Sequence, residues 1–554
     1  MNVQPTNEKV DRIFERYNKP GSPGCAVAVI KGGQILYRQG YGLANLEHNV
    51  PNLPSTVFNI GSMAKQFTTF AIALLEDEGQ LSFDDDIREH LPEMHDFGHT
   101  ITIRHLIHHT SGLRGSFPEL LALAGWRDAD YTTTDDVFRL LTSQRELNSP
   151  PGEEHLYVNS GYVLLAKICE QVSGQSFAEF SKRRIFDPLG MTRSFIHDSV
   201  FMIIPGRAQG YYYDQAGCFY APLTDCVLGP TNVYTTVEDL ALWDENFYSG
   251  QVGGKAVIEQ MHQPGRLNDG SELDYAFGLM VGPTHAHRGW QVVEHGGGQG
   301  GYGAWMARFP ELHFSVVVLF NHFLWEMRDY AIKVADLFLE DREAAGTPSD
   351  EPRAPEEAVT PVELASEQLK AKVGTYFSPE RAALREVTYQ EGRLQYTGLD
   401  LVPLGENLFS FEKVPDSQLE FQVGPDGAVA SMTTITPSGD FGYERVAPVS
   451  PSPDVLAEYA GRYYSPELDI YWTLESGDDH LIARRRKYVD SQLTPLFQDA
   501  FSDDWMPIMG YPTTYLVFFE RDLEGAITGL RVSGSNVRNL RFVRTGPSAA
   551  TGEP

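Results

Sequence analysis

The segment "NIGSMAKQF" places Ser62 three positions before Lys65, at the start of a helical pattern. Residues i and i+3 share a helix face, so the side-chain nitrogen at 65 lies beside the hydroxyl at 62. A serine hydroxyl is a poor nucleophile at its free pKa and needs such a base. The positive end of the helix dipole favours the developing alkoxide. Taken alone, Ser-x-x-Lys is also what a helix cap followed by a surface lysine looks like. A second pair, Tyr157 and Asn159, sits in "PPGEEHLYVNSGYVLL", in a loop after Pro-Pro-Gly and ahead of a helix. A tyrosine acts as a base when a cation lowers its pKa, and an asparagine amide can position Lys65 or a substrate carbonyl. A tyrosine packed at a helix entry fits the same residues.

The third candidate is "VVEHGGGQGGYGAWMARFP", in which Gly296, Gly298 and Gly301 have G-x-G-x-x-G spacing and His295 stands just ahead. A dinucleotide loop needs a strand before it and a helix after it, because the pyrophosphate rests on the helix N-terminus. "WQVVEH" supplies the strand, but "YGAWMARFP" is β-rich and Pro310 stops it. The pattern therefore predicts the edge of a sheet whose glycines Gly296, Gly297 and Gly298 let another backbone come close.

These motifs need a scaffold. "CAVAVI" and "QILYRQGYG" read as consecutive strands around a "KGG" turn. The run from Ser62 to Gly79 carries apolar residues at helical spacing and ends at that glycine. Ser176 and Glu179 form a capping box for a further helix. Near residue 340 come two strands, "AWMARFP" and "HFSVVVLFN", and the closing helix "LWEMRDYAIKVADLFLED". Strands lie at both ends of this block and helices in its middle, so a single sheet gathers both sets only if the ends meet. The expected fold is α+β: an antiparallel sheet flanked by helices, with a mainly helical subdomain. Residues 344–361, rich in Pro, Ala and acid, read as a linker. Beyond it "LKAKVGTYFSPE" is repeated as "LAEYAGRYYSPE", with Gly374 and Gly461 in equivalent places. The two copies, 362–448 and 449–546, are short strands and turns and predict two small antiparallel, lipocalin-like β-barrels. Residues 547–554 read as a tail. The catalytic block is then 1–343.

The chain has 554 residues and a formal charge of −31. That balance excludes the clustered cations that nucleic acid or an anionic membrane surface requires. The four cysteines, Cys25, Cys169, Cys218 and Cys226, contain no C-x-x-C pair, so a thiolate metal site is not expected. Isolated thiols, a polar N-terminus and no apolar run longer than "FSVVVLF" lead to the expectation of a cytoplasmic protein. No cofactor is expected.

The order Ser62–Lys65, Tyr157–Asn159 and His295–Gly297 resembles the signature of the serine β-lactamase and penicillin-binding-protein superfamily. "GYGLANLEHNVP", "FNIGSMAKQFTTFAIALLEDEGQLSFDDDI", "ITIRHLIHHTSGL" and "GPTNVYTTVEDLALW" are similar to segments of that superfamily, over about residues 8–340. The nearest resemblance is to the group of D-aminopeptidases, D-alanyl-D-alanine carboxypeptidases, class C β-lactamases and related esterases. A catalytic block followed by two barrels is D-aminopeptidase-like. The resemblance implies that Ser62 forms an acyl-enzyme, that Lys65 and Tyr157 share the general-base work, with Tyr157 taking the serine proton and returning it to the leaving group, and that Asn159 positions Lys65 and substrate. It implies an oxyanion hole from the N–H groups of Ser62 and Gly298, on an edge strand whose Gly296 and Gly297 let the substrate backbone lie close. His295 departs from the family's lysine, a permanent cation that grips a substrate carboxylate. A histidine is mostly neutral at pH 7, which favours small peptide, amide or ester substrates without a carboxylate beside the scissile bond. Aminopeptidase-like hydrolysis of D-amino-acid peptides or amides is the first expectation, carboxylesterase action the second. A non-catalytic binding protein using the same cleft is the alternative from another class, against which the intact Ser62, Lys65, Tyr157 and His295 weigh. A homo-oligomer is compatible with the sequence.

Three other features were weighed. His105, His108 and His109 in "RHLIHHTSG" lack a carboxylate ligand in register and are expected to be structural. "GQSFA" lacks the last glycine of a nucleophile elbow, so Ser176 is expected to be a cap. "ARRRKYVD" puts Arg484, Arg485 and Arg486 together in an acidic chain. A solvated strand end explains them. In the D-aminopeptidase-like architecture they would instead be a loop of the last barrel that reaches the substrate cleft.

Overall fold

The computed structural model describes residues 4–339 and 361–546, apart from 128, 215, 380, 382, 413, 437–438, 488–489, 504–513 and 535. The linker expected at 344–361 lies outside the described residues except for its last position, and the tail at 547–554 lies wholly outside them. The chain forms two compact units that divide near residue 347.

The first unit is organised by one five-stranded sheet. Its strands are β1 (Cys25–Lys31), β2 (Gln34–Tyr41), β3 (Val293–Gln299), β4 (Tyr302–Phe309) and β5 (Phe314–Phe320). They are antiparallel throughout, in the order β3-β4-β5-β1-β2. The ends of the block do meet: β1 pairs with β5 from Cys25 opposite Phe320 to Lys31 opposite Phe314. β1 and β5 are buried on both faces and so read as unbroken apolar runs. Val10 and Phe14 near the N-terminus, with Tyr330, Val334 and Ala335 of the closing helix Met327–Leu339, cover one face of the sheet. The helix Val237–Ser249 covers the other.

Between the strand sets lie the helices that carry the site, α1 (Lys65–Asp77) and α2 (Ser160–Ser173). A 3-10 turn, Gly61–Ala64, leads into α1, and Gly79 leaves the helix in the left-handed region at φ +68°. Shorter helices around them begin at Asp86, Thr102 and Thr133, each of which accepts a backbone N–H as N-cap. Ser176 and Glu179 form the expected capping box.

The second unit consists of two closed eight-stranded barrels. The repeat is legible in their bonding. Strands Gly374–Ser378 and Gly461–Ser465 open the two barrels. The Tyr376 hydroxyl donates to Lys372 O at 2.8 Å, as Tyr463 does to Tyr459 O at 2.7 Å. Arg445 donates to Val373 O and Arg544 to Ala460 O, each at 2.6 Å.

Candidate active site

Three elements converge on Ser62. The 3-10 turn and α1 bring Ser62 and Lys65, the loop before α2 brings Tyr157 and Asn159, and edge strand β3 brings His295 to Gly298. The turn and the strand touch through their backbones. A Cβ on Gly297 would lie 2.0 Å from Ile60 O and 2.6 Å from Ser62 N, and a Cβ on Gly61 would lie 2.5 Å from Gly298 N. Gly61 is also left-handed, at φ +49°. Only glycines permit this approach, which sets the Gly298 backbone against the peptide of Ser62.

The neighbouring glycines have a different reason. A Cβ at Gly296 would strike the Trp305 ring at 2.2 Å, and one at Gly298 the Phe323 ring at 2.3 Å. Packing within the protein therefore accounts for the missing side chains at Gly296 and Gly297, the two glycines expected to line the substrate cleft. No helix follows β3. Gly300 and Gly301 turn the chain directly into β4, both with positive φ, as a two-residue hairpin demands.

Lys65 is fully buried, whereas Ser62, Tyr157 and Asn159 keep part of their surface open. The Lys65 Nζ lies 3.1 Å from Ser62 Oγ, 2.9 Å from Asn159 Oδ1 and 3.2 Å from Pro230 O. Asn159 Nδ2 donates to Phe117 O at 2.8 Å, which fixes the amide with its oxygen toward Lys65. Burial pushes the Lys65 amine well below its ordinary range. A neutral amine has two N–H bonds and one lone pair. Asn159 Oδ1 and Pro230 O can only accept, so they take the two N–H bonds and the lone pair faces the Ser62 hydroxyl. The Tyr157 and Tyr162 rings lie 4.7 and 5.3 Å from Nζ and favour an ammonium when one forms.

Tyr157 behaves oppositely. Burial raises its pKa, and a hydrogen bond with Ser62 opposes that only in part. It remains a phenol at neutral pH. The His109 ring packs 4.2 Å from it, with His109 Nδ1 accepting from Val158 N at 3.3 Å. His295 is buried; its Nδ1 donates to Gly296 O at 2.6 Å, and its Nε2 accepts from the Tyr275 hydroxyl at 3.3 Å. Burial pushes the imidazole down to about 3. His295 is thus neutral at every ordinary pH.

Tyr162, Tyr275, His109 and the Pro230 carbonyl were not among the residues expected at the site. His109 lies in a histidine cluster without ligand spacing, and Pro230 acts through its backbone carbonyl, which no residue type announces. The basic cluster belongs to the second barrel. Arg484 pairs with Glu475 at 2.9 Å and Asp490 at 3.6 Å on its outside. Arg485 is corrected as a cleft residue and as a solvated one: its side chain is fully buried, ion-paired with Asp503 and 4.1 Å from the Trp472 ring centroid. Arg486 follows at the strand's exit.

A serine beside a desolvated amine, an amide that orients the amine, and an edge strand laid against the serine peptide are the site of a serine hydrolase. The chain belongs to the Beta-lactamase family, whose model matches residues 10–339. It is 29% identical to penicillin-binding protein 4* of Bacillus subtilis (strain 168) over 77% of this chain and 96% of that one. It is 28% identical to the D-aminopeptidase of Gluconobacter oxydans (strain 621H) over 95% of this chain and 96% of that one. Its fold matches the octameric penicillin-binding protein homologue from Pyrococcus abyssi with a TM-score of 0.53 at 21% identity, over 98% of this chain and 100% of that one.

Proposed function

We propose that the protein hydrolyses amide bonds of D-amino-acid peptides or amides in an aminopeptidase-like manner through an acyl-enzyme on Ser62. The observation that carries the mechanism is the buried Lys65 amine, 3.1 Å from the Ser62 hydroxyl and bonded otherwise, among the described residues, only to the neutral acceptors Asn159 Oδ1 and Pro230 O. Burial lowers its pKa and so favours the form whose lone pair can take the serine proton. Lys65 takes the serine proton as Oγ attacks the carbonyl. The N–H groups of Ser62 and Gly298 receive the oxyanion, a type of donor worth about 3 kcal/mol to the transition state. Tyr157, held as a phenol, gives a proton to the leaving nitrogen, and the Lys65 ammonium makes that proton up. Water then reverses the sequence and releases the acid. This assigns the base to Lys65 and the acid to Tyr157, in place of the expectation that Tyr157 takes the serine proton, because burial keeps Tyr157 a phenol.

Two observations support the substrate class. Similarity to a D-aminopeptidase extends along 95% of the chain. The neutral His295 offers no charge to a carboxylate next to the scissile bond. A cytoplasmic setting belongs to the same proposal, supported by four free cysteines, three of them buried.

The test is a panel of D- and L-amino-acid p-nitroanilides, p-nitrophenyl esters and a chromogenic cephalosporin, run with wild type and Ser62→Ala. D-amino-acid p-nitroanilides should turn over fastest, and Ser62→Ala should lose about four orders of magnitude or more. Full activity in Ser62→Ala overturns the mechanism. Turnover of esters alone moves the reading to a carboxylesterase.

A further inference from the structure

Asp225 is a buried carboxylate outside the set of groups that touch Lys65 or Ser62. Amide N–H groups surround it. Gln299 Nε2 donates to both of its oxygens at 2.9 and 3.0 Å, Asn232 Nδ2 donates at 2.8 Å, and the Val227 backbone N–H at 3.4 Å. An ionised carboxylate only accepts. Gln299 must therefore turn its NH2 toward Asp225, which leaves its Oε1 facing away. There Asn59 Nδ2 donates to Oε1 at 3.2 Å, and the Asn59 oxygen is left to accept from the Gly61 N–H at 2.7 Å. One acceptor at the end of the series thus sets the direction of both amides and holds the peptide that leads into Ser62. Gln299 directly follows Gly298 on the edge strand.

A second arm leaves Asp225 through Asn232. This residue is left-handed, at φ +68°, and also donates to Val227 O at 3.2 Å, so its side chain closes the loop 225–232. That loop supplies the Pro230 carbonyl to Lys65 at 3.2 Å and the Gly229 carbonyl to the Thr68 hydroxyl at 2.7 Å. Both arms end on atoms next to the reacting groups.

We propose that Asp225 is a positioning residue for acyl transfer, fixing the peptide before Ser62 through Gln299 and Asn59, and the carbonyl that receives Lys65 through Asn232. Asp225→Asn keeps the shape but removes the direction. Its amide can offer an N–H toward Gln299, which lets Gln299 and Asn59 turn over, and an inverted Asn59 presents a donor to the Gly61 donor. The defect should be reversible by moving the acceptor one place along. In the double variant Asp225→Asn, Gln299→Glu, the new carboxylate accepts from residue 225 on one side and from Asn59 on the other, restoring the Asn59 orientation.

The proposal rests on Ser62 being the nucleophile. The test is the rate of covalent labelling of Ser62 by a fluorophosphonate probe, read by intact mass, which does not depend on the natural substrate. Asp225→Asn should lower the maximal labelling rate about 10- to 100-fold, with the half-saturating probe concentration within about three-fold of wild type. The double variant should recover most of the loss. Near-UV circular dichroism and the thermal midpoint establish folding. If Asp225→Asn fails to fold, Gln299→Met cuts the same series while leaving Asp225 with Asn232, and should show the same loss of rate. A folded variant that labels like wild type overturns the proposal, as does a double variant no faster than Asp225→Asn. A wild-type protein that is not labelled at Ser62 breaks the nucleophile assignment instead.

Discussion

Lys65 in the catalytic unit and Arg485 in the second barrel are both basic side chains with no exposed surface, and burial has opposite consequences for them. Lys65 meets only neutral acceptors, Asn159 Oδ1 and Pro230 O, and the Ser62 hydroxyl. Removing it from water without a counter-charge lowers its pKa, which favours the amine with a free lone pair beside the Ser62 hydroxyl. Arg485 meets Asp503 and the face of Trp472. A guanidinium does not give up its proton in a protein, so its burial demands a partner. The first burial favours a neutral amine, as the proposed base requires. The second holds a charge in place inside a barrel.

The comparison is broken most directly at Lys65. Lys65→Met keeps the length and removes the amine. Its kcat/KM should fall about 10²- to 10⁴-fold, the usual worth of a positioned base. Its stability should rise, because the unfolded chain carries a protonated lysine below about pH 10 while the folded chain carries a neutral one. The stability gain should shrink as the pH approaches 10.5, the lysine's ordinary value. Urea unfolding across pH checks this, and a loss of stability with Lys65→Met would mean that the buried lysine is charged.

The next largest effect is expected at Asp503. Asp503→Asn leaves Arg485 buried without its charge partner and should destabilise the second unit by about 3–5 kcal/mol. Replacing both partners with apolar residues, Arg485→Met with Asp503→Leu, should cost far less. Guanidinium unfolding of the full chain decides, and equal loss in single and double variants would make the pair irreplaceable in shape.

The smallest effect is on acid stability. His295 is neutral when folded down to about pH 3, whereas in the unfolded chain it takes a proton near 6.5. Between those values the unfolded state binds the extra proton, so wild-type stability falls as the pH is lowered. His295→Gln should flatten that slope by up to one proton's worth, measured by unfolding at pH 7, 5 and 4.

Much of this contrast was legible in the sequence. Strands at both ends of the first block and helices between them required a sheet that joins the ends, and β1 and β5 supply the join. The order and spacing of Ser62, Lys65, Tyr157, Asn159 and His295 were enough to nominate them together. The glycines of β3 announce a close approach, but a missing side chain does not say what fills its place; Trp305 does at Gly296 and Phe323 at Gly298. Tyr162, Tyr275 and His109 stand apart in sequence, and only tertiary packing stacks them around Tyr157 and His295. Arg485 did carry a usable signal. In "LIARR", period-two alternation puts residue 485 on the same face as Leu481 and Ala483, both buried, while Arg484 points out.

Asn59 and Gln299, which bond across the nucleophile turn, are separated by 240 residues of chain. At ordinary rates of synthesis, Ser62 therefore leaves the ribosome roughly ten to fifty seconds before the strand that lies against it exists. During that interval Ser62 has Lys65 three residues away but not the Gly297–Gly298 backbone that packs against its peptide, so the geometry around Ser62 is complete only when the sheet is.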